Sequence, residues 1–414
     1  MDIVLSRITS PPNLEKEEAL PDSWKLVQLH RPFVAEIQNS IFTMKSWLIL
    51  FLLVFYTLSF TLAQVNNSGI MSSTSGEKLG NLSIGAYIDA YYGYDFSRPE
   101  DGQIANFVSM NRHHEATINL AFVDVRYTSD RVRGRFIPGF GTYINANYAS
   151  ESGVLKNIVE ASVGYQISEK KDIWVDFGIL GSPYTNESAI SRDHLMYTRS
   201  LAPEYVPYYL SGAKVSVPLS QKLTAYLYLI NGWQQIQDQN QGKAIGTQLE
   251  FRPDQKNLIN WNTYFGDERN ALRPNDRLRA FSDIYWIHDS GGKWDFTSCV
   301  YGGFQNSVTE RFNPRVFWWQ ANFIARYAFS EKTSLSGRME YFSDPNAIQI
   351  SPESLSDSFK TFSNGLCLNF SPTSNLLFRM EGRYFYSPHE IFITADSMPA
   401  SSKFWMVTSM TFSF

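Results

Sequence analysis

Cysteine is almost missing, with two residues in 414, so no disulfide framework can hold this chain together. Charge is also scarce. Asp, Glu, Lys and Arg make up 18% of the residues, below the usual quarter. Neither sign prevails, with 36 basic against 40 acidic residues, and a pI near 5.9 leaves no basic footprint for nucleic acid. Only one long apolar run occurs, which excludes a bundle of membrane-spanning helices. No G-x-S-x-G elbow and no H-E-x-x-H helix motif is found. Aromatics, by contrast, reach 15%, with 30 Phe, 23 Tyr and 10 Trp. Two classes survive: a soluble aromatic-rich β-protein, or a membrane β-barrel whose polar interior hides it from hydropathy.

The apolar run is Trp47–Ala63, preceded by Met44-Lys45-Ser46. One Lys, an apolar stretch, and the short residues Thr61 and Ala63 before Gln64 read as a signal peptide over 44–63. A single membrane anchor is disfavoured because Gln64-Val65-Asn66-Asn67 carries no positive stop-transfer cluster. Residues 1–43 hold Pro11-Pro12 and the acidic stretch Glu15-Lys16-Glu17-Glu18, and are expected to be an upstream extension absent from the mature protein. Residues 64–81 then form a short segment ahead of the main body at 82–414.

From Leu82 onward the pattern alternates with period two. Along 82–96 the even positions are Leu, Ile, Ala, Ile, Ala, Tyr, Tyr and Phe, while the odd ones include Ser83, Asp89 and Asp95. Leu376, Phe378, Met380 and Tyr384 share one face, opposite Arg379, Glu381 and Arg383. Several such stretches run nine residues or more, the length of a tilted strand crossing a membrane. Charges in mid-strand then need a wet interior, because an Arg on the lipid face costs roughly 2–4 kcal/mol at the midplane.

Sixteen strands fit between Leu82 and Phe414. Their connections alternate between long (98–112, 147–156, 181–207, 231–243, 266–277, 303–314, 343–358 and 386–402) and short polar turns such as 168–172, 218–221, 330–333 and 371–375. Long outer loops and short periplasmic turns are the pattern of an outer-membrane barrel. The chain ends on Phe414, in line with Phe404, Met406, Met410 and Phe412. A terminal aromatic on an alternating strand resembles the signal read by the barrel-assembly machinery.

The stretches GAYIDAYYGYDF (85–96), RVRGRF…GTYINANYA (131–149), EASVGYQIS (160–168), ESAISRDH (187–194), PYYLSGAKV (207–215) and INGWQQI (230–236) resemble the OmpL-like β-barrel porin family of Gram-negative outer membranes. The resemblance implies an all-β barrel in the outer membrane and passive diffusion of small hydrophilic solutes. The expected partners are membrane lipid, the assembly machinery, those solutes and, by analogy of size, two further copies in a homotrimer. A non-conducting structural barrel and a barrel hydrolase are the alternatives. Ser363-Asn364-Gly365 is similar to the serine motif of outer-membrane phospholipase, but Thr361 stands where its histidine belongs.

No catalytic residue, cofactor or metal is expected. His113 and His114 begin a strand, where adjacent side chains diverge and cannot share an ion. The candidates for lining or narrowing a pore are charged. Arg131, Arg133 and Arg135 lie at spacing two, as do Arg379 and Arg383, with Glu381, Asp176 and Glu160 as available partners and Lys214 nearby. The loop 181–207 carries Glu187, Arg192, Asp193, Arg199 and Glu204 among apolar residues that need a surface to bury against. It is expected to fold inward, with Glu187 and Arg192 at the opening. Tyr87, Tyr91, Trp174 and Trp405 are inward aromatics by parity, and Cys299 and Cys367 also face in.

Overall fold

The computed structural model describes residues 77–414 except 241, 270–275 and 308–315. The expected extension 1–43, the signal peptide 44–63 and most of 64–81 lie outside the described residues. The body is one antiparallel barrel whose strands, numbered in chain order, are β1 Leu82–Asp95, β2 Glu115–Thr128, β3 Val132–Phe140, β4 Ile158–Ser168, β5 Ile173–Gly181, β6 Tyr209–Pro218, β7 Leu223–Ile230 and β8 Ala244–Phe251. The second half comprises β9 Asn257–Asp267, β10 Asp276–Asp289, β11 Trp294–Ser307, β12 Val316–Ala328, β13 Thr333–Asp344, β14 Phe359–Thr373, β15 Leu376–Tyr386 and β16 Ser402–Ser413.

Each strand pairs with the next, and β16 returns to β1 through Trp405↔Asp95 to Ser413↔Tyr87. The Phe414 amide donates to Ala86 O and the Ala86 amide to Phe414 O, both at 3.2 Å, so the last residue closes the ring. Beyond that point the short strand Glu77–Leu79 pairs with the beginning of β1. Closure leaves no row of unpaired amides, which hydrocarbon would penalise.

Period two sorts the side chains. On β14, Phe362 and Leu366 are exposed outward, while Thr361, Ser363 and Cys367 are buried inside. Phe177, Leu229, Met339 and Leu366 keep more than half their surface on the outer face, as residues bathed in lipid do. A register slip of one residue would put Arg379 or Arg383 into that layer, so the pairing is strongly specified.

The apolar core sits inside the barrel, where connections from the long-loop end pack against the wall. The first contributes Ile104, Phe107 and Met110, the third Met196 and Leu201, and the last Ile391 and Phe392. A second cluster joins Tyr87, Phe122 and Ile137 of the wall to Tyr143 and Ile144 of the short helix α1 (Thr142–Asn147).

Candidate functional site

The loop from 182 to 208 enters the barrel instead of standing above it, and the wall is built to receive it. Irregular backbone taken from water needs partners for its amides and carbonyls. Glu381 of β15 accepts the amides of Tyr197 and Thr198 at 2.9 and 2.8 Å and pairs with Arg338 of β13 at 2.7 Å. Glu340, two residues from Arg338, accepts the Leu201 amide at 2.8 Å and pairs with Arg383. Arg379 donates to the carbonyls of His194 and Met196 at 2.7 and 3.0 Å, and Arg383 to that of Arg199 at 2.6 Å. Across the barrel Asp283 of β10 accepts the Thr185 amide at 2.8 Å, while Asp89 of β1, two strands from β15, accepts the Tyr197 hydroxyl at 2.9 Å.

Within the loop Glu187 accepts the Ser200 amide at 2.8 Å, with Arg338 3.6 Å away. Arg199 pairs with Glu204 at 2.9 Å, both fully buried, and its guanidinium lies over the rings of Tyr143 and Tyr208. Glu204, at the end of helix α2 (Leu201–Glu204), also accepts the amides of Val108 and Ser109 from the first loop.

At the bottom of its excursion the loop meets the short-turn end. Arg192 donates to the carbonyls of Asn375 and Ser374, the two residues that join β14 to β15. Its neighbour Asp193 is exposed. Enclosure by the barrel pushes the Asp193 carboxyl up to about 7, against the lowering pull of Arg192, Arg379, Arg135 and Arg126. His194 is buried, and burial together with Arg199 and Arg379 drives its imidazole well below the usual range, so it stays neutral.

The wall from β2 to β6, near the short-turn end, carries a different arrangement. Asp124 accepts from Arg126 at 2.6 Å and from Arg135 at 2.8 Å, and Arg135 also reaches Glu160 at 2.7 Å. Arg133 grips Asp176 through two bonds of 2.6 Å, with Lys214 3.3 Å from the same carboxylate. The Arg133 guanidinium also covers the Trp174 ring at 4.4 Å.

The charged candidates thus separate into two groups. Arg133, Arg135, Lys214 and Arg192 keep part of their surface open, whereas Glu187, Arg199, Arg379, Glu381 and Arg383 are buried against the loop, and Asp176 lies under Arg133 and Lys214. Arg379 and Arg383 bear no free row of charge, and Glu381 pairs with Arg338 rather than with either neighbour. Period two reports which side chains face inward, and it is blind to a loop filling that space. Arg338, Glu340, Asp124 and Arg126, unremarked in the sequence, show the same spacing of two that singled out the others. Asp193 stood in the loop with no local signal of its exposure.

One smaller expectation changes. His113 and His114 do not diverge as in a strand: His114 has φ 56°, and the two rings lie 5.9 Å apart. His113 Nδ1 accepts the Asp95 amide, and His114 Nδ1 bonds the Tyr92 hydroxyl. Ser363 is buried, and its hydroxyl accepts from Arg383 Nε at 2.9 Å. Cys299 and Cys367 are buried free thiols on β11 and β14, with two strands between them.

Solved structures share this architecture. The outer membrane channel DcaP of Acinetobacter baumannii is 11% identical with a TM-score of 0.53, covering 84% of this chain and 100% of its own. OmpT of Vibrio cholerae is 10% identical with a TM-score of 0.52, over 82% of this chain and 100% of its own. The anion-selective porin from Comamonas acidovorans is 8% identical with a TM-score of 0.52, over 80% and 99%. At such identities the likeness concerns the fold. No curated protein matches the sequence. The family model described as "Putative beta-barrel porin-2, OmpL-like" matches residues 81–414, from the threshold of β1 to the terminal Phe, and the chain belongs to that family.

Proposed function

We propose that this porin lets small hydrophilic solutes diffuse across the outer membrane through the part of its lumen that the inward loop leaves open. The observation that carries this reading is the wall of β2–β6. Side chains of Arg126, Arg133, Arg135 and Lys214 point inward near the short-turn end, yet each keeps between 23% and 37% of its surface accessible. Accessible charge inside a lipid-embedded barrel requires water there. The long connections face the cell exterior and the short turns the periplasm, after export by the signal peptide at 44–63. A homotrimer fits the same reading, since one similar OmpT structure is described as a trimer form.

Refolded protein in a planar bilayer tests the proposal. Steady ohmic steps, together with swelling of proteoliposomes in a neutral pentose, are expected. Silence in both assays would leave a structural or adhesive barrel as the better reading.

A further inference from the structure

The outer face of β13–β15 carries one side chain that hydrocarbon cannot satisfy. Asn364, the middle residue of Ser363-Asn364-Gly365, is exposed between Phe362 and Leu366, which project outward with 54% and 63% of their surfaces open. Its cross-strand neighbours are Met339 on β13 and Tyr384 on β15, both exposed. Asn364 does not sit at the edge of the apolar band. The ring pair Tyr341–Phe362 lies on its long-loop side and Phe370–Phe378 on its short-turn side, as the two aromatic girdles of a barrel do. Outward hydroxyls on β8–β10 bond within the wall: Thr247 with Thr263 at 2.6 Å, and Ser282 with Trp261 Nε1 and the Asn262 carbonyl, both at 3.0 Å. The Asn364 amide has no such partner among the described residues. Acyl chains offer neither donor nor acceptor, so in a single barrel this group stays unsatisfied.

Two glycines belong to the same patch. Leu366 pairs with Gly337 on β13 and with Gly382 on β15, so all three lie at one level of the outer face. Glycine inside a strand gives up packing and entropy, and it marks a bulge, a bend or another backbone approaching closely. Neither residue has a left-handed φ, and the register runs unbroken through both. A Cβ on Gly337 would meet Leu366 Cδ2 at 3.5 Å, and one on Gly382 would meet Phe404 Cζ at 3.4 Å, both ordinary contacts. The barrel itself therefore has room for side chains at these positions. The hollows on either side of Leu366 are open only to something approaching from outside.

We propose that the outer face of β13–β15 is the surface through which copies of this chain associate, with the Asn364 amides of neighbouring barrels bonding one another. An Asn amide both donates and accepts, so the same residue on a second copy is a complete partner. The shape fits itself as well. Met339, 67% exposed, projects from the β13 flank, while Gly382 recedes on the β15 flank. Around a rotation axis passing beside Asn364, the β13 flank of one barrel meets the β15 flank of the next and sets knob against hollow. In a bilayer, apolar contact gains little over lipid, and association depends on close approach at small residues and on polar groups bonded across the contact. The inference rests on the homotrimer reading above and assigns its face; it is independent of what the pore conducts.

The test uses the full-length porin, with heat-modifiable gel mobility reporting the fold of every variant. In isolated outer membranes, mild oxidation of Asn364→Cys should give a covalent dimer on a non-reducing gel. Phe177→Cys, on the opposite side of the ring, should give none, and the wild type with its two buried thiols sets the background. Asn364→Leu and Gly382→Leu should each weaken self-association in mild detergent by about tenfold, read by light scattering. Association of N364L and G382L equal to the wild type, or a dimer from F177C and none from N364C, overturns this face and leaves the homotrimer standing. Crosslinking of N364C to a different protein likewise overturns it. A wild type that is monomeric in mild detergent, with no dimer from N364C, overturns face and homotrimer together. The conductance reading is untouched by each of these results.

Discussion

The Arg192 guanidinium donates to the main-chain oxygen of Asn375 at 3.1 Å, although Arg192 belongs to a long-end loop and Asn375 to a short-end turn. Eleven residues beyond the end of β5 at Gly181, the chain has therefore crossed the height of the barrel. The loop is an internal column fixed at its foot by Arg192, along its length by Arg379 and Glu381, and at its return by Glu340 and Glu204.

The foot contact is separable from the rest. Arg192→Ala removes two bonds to the 374–375 turn while Arg379 still holds the carbonyls of Ser191, His194 and Met196. The variant should fold with wild-type heat-modifiable mobility, and its single-channel current should become noisier as the tip moves. A trace as quiet as the wild type would show that Arg379 alone fixes the tip.

Arg199 and Glu204 are both inaccessible, so removing either partner strands the other charge. Glu204→Gln should cost about 3–5 kcal/mol in thermal unfolding and open the loop to trypsin, whereas replacing both residues with methionine should recover most of the loss. Equal stability of the single and double variants would assign the effect to the amide bonds of Val108 and Ser109 instead.

Asp193 gives the passage a pH dependence of known sign. With its carboxyl pushed up to about 7, it is mostly charged at pH 8 and mostly neutral at pH 6. Burial together with Arg199 and Arg379 holds the neighbouring His194 imidazole well below its usual range, so it stays neutral over the same interval. Preference for chloride should therefore rise as pH falls from 8 to 6 and be flat in D193N. A slope that persists in D193N would place the titrating group elsewhere.

Phe414 contributes one exposed ring and two backbone bonds to Ala86. If the assembly machinery reads this residue, its deletion should lower the amount of folded barrel in the membrane far more than those contacts account for. In vitro refolding of the deletion variant into detergent should stay close to wild type. Normal abundance in cells would refute the signalling role.

Strand pattern, count and closure were legible because a barrel in lipid imposes one rule on every strand. Leu376–Tyr386 shows the rule plainly, with Phe378 and Tyr384 outside and Arg379, Glu381 and Arg383 inside. Even Leu377, the apolar residue on the charged face, turns inward and is buried. The inward course of 182–208 was legible from its apolar residues, which needed a surface. What each inward charge meets was not, because period two fixes direction but not the occupant of the lumen. Arg383 and Arg133 look alike in sequence; one binds a loop carbonyl and Glu340, the other stays partly accessible above Asp176. Asp193 differs from buried Glu187 only by where the column turns.

The most direct test of the account is the single-channel conductance of a porin lacking residues 186–200. Deletion removes the column, water resolvates Arg338, Glu340, Glu381 and Arg383 on the wall, and the barrel hydrogen bonds stay complete. Conductance should rise severalfold with wild-type heat-modifiable mobility. Conductance equal to the wild type, with cysteines placed at 187 and 192 of the full-length chain labelled on intact cells by a bulky impermeant reagent, would place the loop outside the barrel and contradict the account.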